Sequence, residues 1–322
     1  MRYAVLIFSQ IAVASAALLA RWGMALGFAP GPLTAWRLTA ASVFLLPAIL
    51  MMDRRRSKRK EPVSWSDALL LMGAGAALGA HFWSWFASLN HISVARSTLL
   101  VSTTPLWAGL GGWLMTRRAP SRSFWGALAV AGVGVWMVTS TDAANVALDP
   151  GANPLIGDVS ATFGAVCIAA YFVMTAPFQE RIGTLRVIAW TYPSAAVAVW
   201  LGVIIHGNLD GVVVSPTLTA VREGADRWIG GEAWLAVLLL ALIPQLAGHT
   251  ALNWSLKHFS AGAVGAATLL EPVFAGLLAW IILREQPAAI QIVGACVLLA
   301  GVGWALLSGG RSEHVAQPTD PQ

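Results

Sequence analysis

The sequence predicts an all-α integral membrane protein: ten transmembrane helices arranged as two inverted five-helix repeats, with both termini cytoplasmic. Three observations carry that expectation. First, 57% of the 322 residues are hydrophobic and 11% are charged, with a mean hydropathy of +0.69, too little polar surface to coat a water-soluble globule of this length. Second, residues 90–120 recur without a gap as residues 257–287. His91, Ser93, Pro105, Ala108, Gly109, Leu110, Trp113, Arg117 and Pro120 return at one constant spacing as His258, Ser260, Pro272, Ala275, Gly276, Leu277, Trp280, Arg284 and Pro287. Third, basic and acidic loops alternate along the chain.

A bilayer core about 30 Å thick needs roughly 20 apolar residues per helix. On that ruler the spans fall near 3–24, 33–52, 66–89, 94–115, 123–140, 157–179, 186–206, 233–254, 261–283 and 288–308. The first follows a basic residue, as a signal peptide would, but its apolar stretch is longer than a signal core and it has a counterpart in the sixth. Arg54, Arg55, Arg56, Lys58, Arg59 and Lys60 follow the second span, and Arg117, Arg118 and Arg122 lie between the fourth and fifth. Cytoplasmic loops retain such residues. The loop with Asp142 and Asp149 has no basic residue, and that at 207–232 carries Asp210, Glu223, Asp226 and Glu232 against two arginines, so both are expected outside. The formal charge of +5 thus reads as topology rather than a nucleic-acid surface. Cys167 and Cys296 lie in separate spans without metal-ligand spacing, which suggests neither a disulfide framework nor a metal site.

Five helices is an odd number, so the second repeat must enter the membrane in the opposite sense to the first. Arg118 becoming Glu285, and Arg122 becoming Ala289, agree with that inversion. Two halves of one fold in opposite orientations can exchange inward-open and outward-open arrangements around a site between them, which is the logic of a carrier. The repeats are expected over 1–142 and 150–308, followed by a disordered cytoplasmic tail at 309–322. Leu218, Val221, Ala225 and Trp228 suggest a short surface helix in the long outer loop.

The runs Leu270-Glu271-Pro272-Val273-Phe274-Ala275, Leu283-Arg284-Glu285-Gln286-Pro287, Gln291-Ile292-Val293-Gly294-Ala295 and Ala300-Gly301-Val302-Gly303 resemble the repeat signature of the drug/metabolite transporter superfamily, EamA-like branch. That resemblance, over residues 3–308, implies ten helices, a central cavity and alternating access. It implies no particular substrate. The first copy departs from the pattern, with Thr104 where the second has Glu271.

Charges within a membrane span are costly and persist mainly where they face protein or water. Glu271 falls near the middle of its span beside Pro272, whose missing N–H frees a carbonyl one turn earlier; it reads as a proton or solute-amine site, or as a protonated structural acid. Pro105 stands in the matching place next to Thr104, so Pro105 and Pro272 are candidate hinges. Arg21, Arg37 and Arg96 lie toward the outer ends, either forming a vestibule for carboxylates or snorkelling to headgroups. Gln10 shares a helical face with Arg21. Gln245, His249 and Asn253 form a polar stripe, and His81 lies near the place in the other half that matches His249; each histidine reads either as a proton-sharing partner of Glu271 or as a neutral ring bonded to a neighbouring carbonyl. Tyr171, Trp83, Trp85 and Trp107 are candidate aromatic walls. The glycine- and alanine-rich fifth and tenth spans read as packing scaffold or as a dimer surface.

The expectation is a secondary transporter of the inner (plasma) membrane that exports a small organic metabolite, such as an amino acid or related carboxylate, with proton coupling, as a monomer or homodimer. No cofactor, metal or nucleic acid is called for, and no phosphate-binding GxxxxGK[ST] motif is present. The alternatives are an importer, a drug or sugar carrier of the same fold, or an intramembrane enzyme using Glu271 with a histidine.

Overall fold

The computed structural model describes residues 1–54, 63–92, 94–117, 119–140, 151–206, 231–278, 280–281 and 288–309. The basic run after Arg54, the acidic loop at 141–150, the surface helix expected near 218–228, Arg118, Glu285 and the carboxyl tail lie outside them. All regular elements among the described residues are helical: α1 (Arg2–Ala25), α2 (Pro30–Arg54), α3 (Trp65–Ser88), α4 (Val94–Val101), α5 (Thr104–Thr116), α6 (Arg122–Thr139), α7 (Pro154–Arg181), α8 (Thr184–Ile205), α9 (Gly231–Leu240), a π-helical segment (Ala241–His249), α10 (Thr250–Ser255), α11 (Ala261–Thr268), α12 (Glu271–Leu278) and α13 (Ala289–Gly309). Among the described residues, eight helical stretches, counting Gly231–Ser255 and Ala261–Leu278 each as one, are long and apolar enough to cross a membrane. The expected fourth span is divided into α4 and α5, and the expected fifth is the shorter apolar helix Arg122–Val138.

The helix ends follow from local chemistry. Ser64 accepts from the Asp67 N–H while the Asp67 carboxylate accepts from the Ser64 N–H, a reciprocal cap that satisfies two otherwise unpaired donors. Ser121 caps α6, Asn153 caps α7 ahead of Pro154, and Ser260 caps α11. Between α7 and α8 the chain turns through Gly183 at φ 86°, a left-handed conformation that a Cβ would penalise.

The π turn has an evident cause in Pro244, which sits within it. Proline has no N–H to give the carbonyl four residues earlier and its ring crowds that carbonyl; widening the turn relieves both.

The two halves interleave. α3 lies against α7 and α8, and the stretch from α9 through α10 lies against α1 and α2, so the third helix of each half packs on the first two of the other. α6 and α13, the last helices of the halves, lie along each other. Their approach is close enough that a Cβ on Gly134 would stand 2.5 Å from the Leu298 backbone nitrogen, and one on Gly301 2.5 Å from that of Ala131. The small-residue faces are thus used within the chain, where van der Waals contact supplies the packing that the hydrophobic effect cannot supply in lipid. Phe44, Val197, Ile292 and Leu307 remain outside, each about half exposed or more, as a lipid-facing belt requires.

Candidate functional site

The fourth helix of the first half breaks between Val101 and Thr104, and its counterpart in the second half breaks between Thr268 and Glu271. These are the same positions in the repeat, each followed by the paired prolines, Pro105 and Pro272. Around the first break the hydroxyls fold back on the chain: Ser102 donates to Thr98 O, Thr103 to Leu100 O and Thr104 to Val101 O, each at 2.7 Å. Thr268 does the same to Gly265 O. Such bonds compensate carbonyls that a broken helix leaves unpaired.

Glu271 opens α12, where the helix dipole favours a carboxylate. It lines two adjoining cavities. One, of about 10 Å³, is bounded by Trp85, Thr98, Val101, Ser102 and Thr268. The other, of about 20 Å³, brings Glu271 together with His81, His249, Thr104 and Phe82, which is space for about one water molecule. Its remaining wall is apolar: Val13, Trp85, Val101, Ile168, Phe172 and Leu252, with the Thr268 hydroxyl already engaged. Sequence patterning did not single out Val13, Phe82, Ile168 or Phe172, because an apolar residue facing a cavity and one facing lipid look alike in a hydrophobic span.

Both histidines reach this site in different states of satisfaction. The His81 ring is held by its Nδ1, 2.9 Å from Gly164 O, and stacks on Trp85. His249 has no hydrogen-bond partner at either ring nitrogen; its ring meets Phe82 edge-on at 5.0 Å. Gln245 and Asn253 flank it along the same stripe but differ. Asn253 is saturated, accepting from Tyr171 Oη and Gln179 Nε2 at 2.9 Å each and donating to His249 O. The side-chain amide of Gln245 is buried and unpartnered. Tyr171 is therefore tied to Asn253 rather than lining the cavity. Gln10 is fully buried, donating to Ser9, with its carbonyl oxygen unpartnered. Trp83 packs against His206, Gly31 and Gly202, away from these cavities.

The three arginines do not converge. Arg21 is exposed on α1. Arg96 is exposed and paired bidentately with Asp158 at 2.7 and 2.6 Å. Arg37 is fully buried, its guanidinium carbon 3.9 Å from the Phe82 ring centroid.

The two sides of the helix breaks are packed unequally. α5 and α11 pack through small residues: a Cβ on Gly265 would lie 3.3 Å from Pro105 Cα and 3.4 Å from Ala108 Cβ, and one on Gly262 3.9 Å from Gly109 Cα, with Phe124 over Gly262 and Gly109. α4 and α12, which hold the corresponding places in the repeat, share no comparable packing, and a Cβ on Gly276 would meet nothing within 4 Å.

Paired helix breaks around an interior cavity, in two halves of interleaved helices, define a multi-pass membrane protein of the carrier type. The chain belongs to the EamA-like transporter family, whose model matches residues 2–140 and 155–307, and so to the drug/metabolite transporter superfamily that the sequence resembles. It is 24% identical over 290 residues to the uncharacterized transporter YdeK of Bacillus subtilis (strain 168), covering 87% of this chain and 83% of that protein. It is 21% identical over 293 residues to the uncharacterized transporter YdfC of the same organism, covering 90% and 86%. A solved crystal structure aligns with a TM-score of 0.69 at 20% identity, covering 97% of this chain and all of the other, a likeness of fold.

Proposed function

We propose that this chain is a secondary transporter of the cell inner membrane that exports a small organic metabolite, such as an amino acid or a related carboxylate. In this reading ten spans form two inverted repeats, 1–142 and 150–308, and rock about the cavity at Glu271. The observation that carries it is the unequal closure of one repeated element: α5 meets α11, while their counterparts α12 and α4 stand apart. With Arg54 to Lys60 and Arg117 to Arg122 on the cytoplasmic side, the sealed end faces the cytoplasm and the other faces outward. Parting α5 from α11 while α4 closes on α12 exposes the same cavity to the opposite side. Contacts between small apolar faces break without stranding hydrogen-bonding groups, and two such arrangements can therefore lie close in energy.

Glu271 is the coupling group in this mechanism. It stands at a helix break, at the cavity and beside the breach between α4 and α12, where a proton can be taken up in one arrangement and released in the other. His249, unpartnered across the same cavity, is placed to exchange that proton through one water. Thr104, at the matching place in the first half, carries no charge, so coupling belongs to the second half.

The test is flux in proteoliposomes under an imposed pH gradient. Glu271→Gln keeps the side chain's shape and removes its titration, and it is expected to abolish pH-driven flux while circular dichroism and melting temperature stay near those of the parent. Undiminished pH-driven flux in that variant would refute the coupling role. Solute recovered chemically altered would refute transport in favour of catalysis.

A further inference from the structure

Arg37 is a buried cation with nothing to neutralise it. Its exposure is 0%, Nε, Nη1 and Nη2 all lack a hydrogen-bond partner, and neither ion pair found among the described residues includes it. Phe82 and Phe86 face the guanidinium at 3.9 and 5.9 Å. Ring faces attract a cation, but they accept none of its five N–H donors. A charge retained in a membrane interior at this cost points to an anion that meets it during function.

The surroundings narrow the anion. Phe82 separates Arg37 from the cavity that holds Glu271, and Phe82 and His249 form that wall together. On the same π-helical stripe Gln245 offers an unpartnered amide, while its backbone carbonyl accepts from Tyr192 Oη at 3.2 Å. One guanidinium, one imidazole and one primary amide supply a single fixed positive charge with several neutral donors. That set suits a singly charged planar oxyanion, gripped by the guanidinium fork through two parallel bonds; a dianionic phosphate would call for more positive charge. Across the cavity stands the Glu271 carboxyl.

We infer that Arg37, with Gln245 and His249, is the carboxylate-recognition site of the transporter, reached when the Phe82 ring turns aside. The solute then carries one carboxylate at its Arg37 end, an apolar body against Val13, Ile168, Phe172 and Leu252, and an ammonium or hydroxyl group at its Glu271 end. This rests on the transport reading of the same cavity and specifies its substrate class as amino-acid-like. Arg37 sets specificity by rejecting isosteres that lack the charge, because a neutral amide would leave the guanidinium desolvated and unmatched.

The experiment is thermal unfolding of the full detergent-purified chain with propionate, propionamide or chloride at equal concentration and ionic strength. Propionate is expected to raise the melting temperature and propionamide to leave it unchanged. Arg37→Lys, which keeps the charge without the fork, should need roughly tenfold more propionate for the same shift, and Arg37→Gln should show no shift. Should Arg37→Gln fail to fold, Gln245→Leu is the second variant, expected to weaken propionate and leave propionamide without effect. Equal shifts with propionate and propionamide, an undiminished propionate shift in Arg37→Gln, or stabilisation by chloride alone would overturn the site. Flux is read separately: propionate binding that depends on Arg37, in a protein that moves neither amino acids nor related carboxylates, leaves the anion site standing and removes the proposed export of those solutes.

Discussion

The α5/α11 contact and its repeat-related image, α4 against α12, are one design in two conditions. In the first, Gly262 and Gly265 lie against Pro105, Ala108 and Gly109; in the second, a Cβ on Gly276 would meet nothing within 4 Å among the described residues. Because both places derive from one repeated stretch, the packed pair shows the geometry that the other pair would adopt under the proposed alternating access. The copies are not chemically equal. Gly265 corresponds to Thr98, so the image of the Gly265–Ala108 contact is Thr98 against Ala275, with a side chain where the closed end has none. Under the proposed alternating access, a seal built from Thr98 and Ala275 is bulkier than that of Gly265 and Ala108, and the two closed states should differ in energy.

The largest effect should come from fixing the contact covalently. Replacing Ala108 and Gly265 by cysteine puts two Cβ atoms about as far apart as a disulfide needs, since the Gly265 position stands 3.4 Å from Ala108 Cβ and typical bridges span about 3.5–4.5 Å. Oxidation should cut flux at least about tenfold, with recovery on reduction, as expected when one of two required states is removed. Thr98→Cys with Ala275→Cys should stay unlinked at rest and cross-link during turnover. Linkage of that second pair at rest, as fast as the first, would erase the distinction between the two ends.

Bulk at the two glycines should separate them next. Gly265→Leu drives a side chain into the Pro105 backbone; a loss of about 1–3 kcal/mol is the usual cost of overpacking, read as a lower melting temperature together with lost flux. Gly276→Leu has room in this state, so its melting temperature should match the parent while flux falls several-fold, because the added side chain meets α4 only when the outer end closes. Normal flux in Gly276→Leu would remove α12 from the gate. The smallest effect is expected at Asp158→Asn, which cuts the tie from α7 to Arg96 on α4. With side chains 53% and 27% exposed, that pair should contribute under about 1 kcal/mol, leaving flux nearly unchanged.

Much of this architecture was legible in the residues. The constant spacing between Pro105 and Pro272 located both helix breaks, because the prolines recur at one place in the repeat, whereas the unpaired Pro47, Pro177 and Pro193 lie inside continuous helices, and Glu271 stood out as an acid in an apolar run. Arg37 was harder to read. Its Cα lies near an expected outer end, and periodicity reports where a Cα sits, not that a long side chain lies back over Phe82. Gln245 and Asn253 shared one stripe in the sequence, yet Asn253 is satisfied by Tyr171 and Gln179 while Gln245 is not. Partners far apart in the chain made that difference, and spacing along one helix carries no record of them. The unequal packing of α5/α11 and α4/α12 was also hidden, because spacing along the repeat does not say which pair is in contact.

Interleaving has a price in synthesis. α3 packs on α7 and α8, and α6 on α13, so the first five helices leave the ribosome with their main packing surfaces unfilled. Translation at about 5–20 residues per second means that these helices wait roughly ten to thirty seconds in the bilayer for partners still being made. A nascent half in that interval offers glycine-lined faces to any neighbouring helix, and its quality control is a matter of timing as much as of stability.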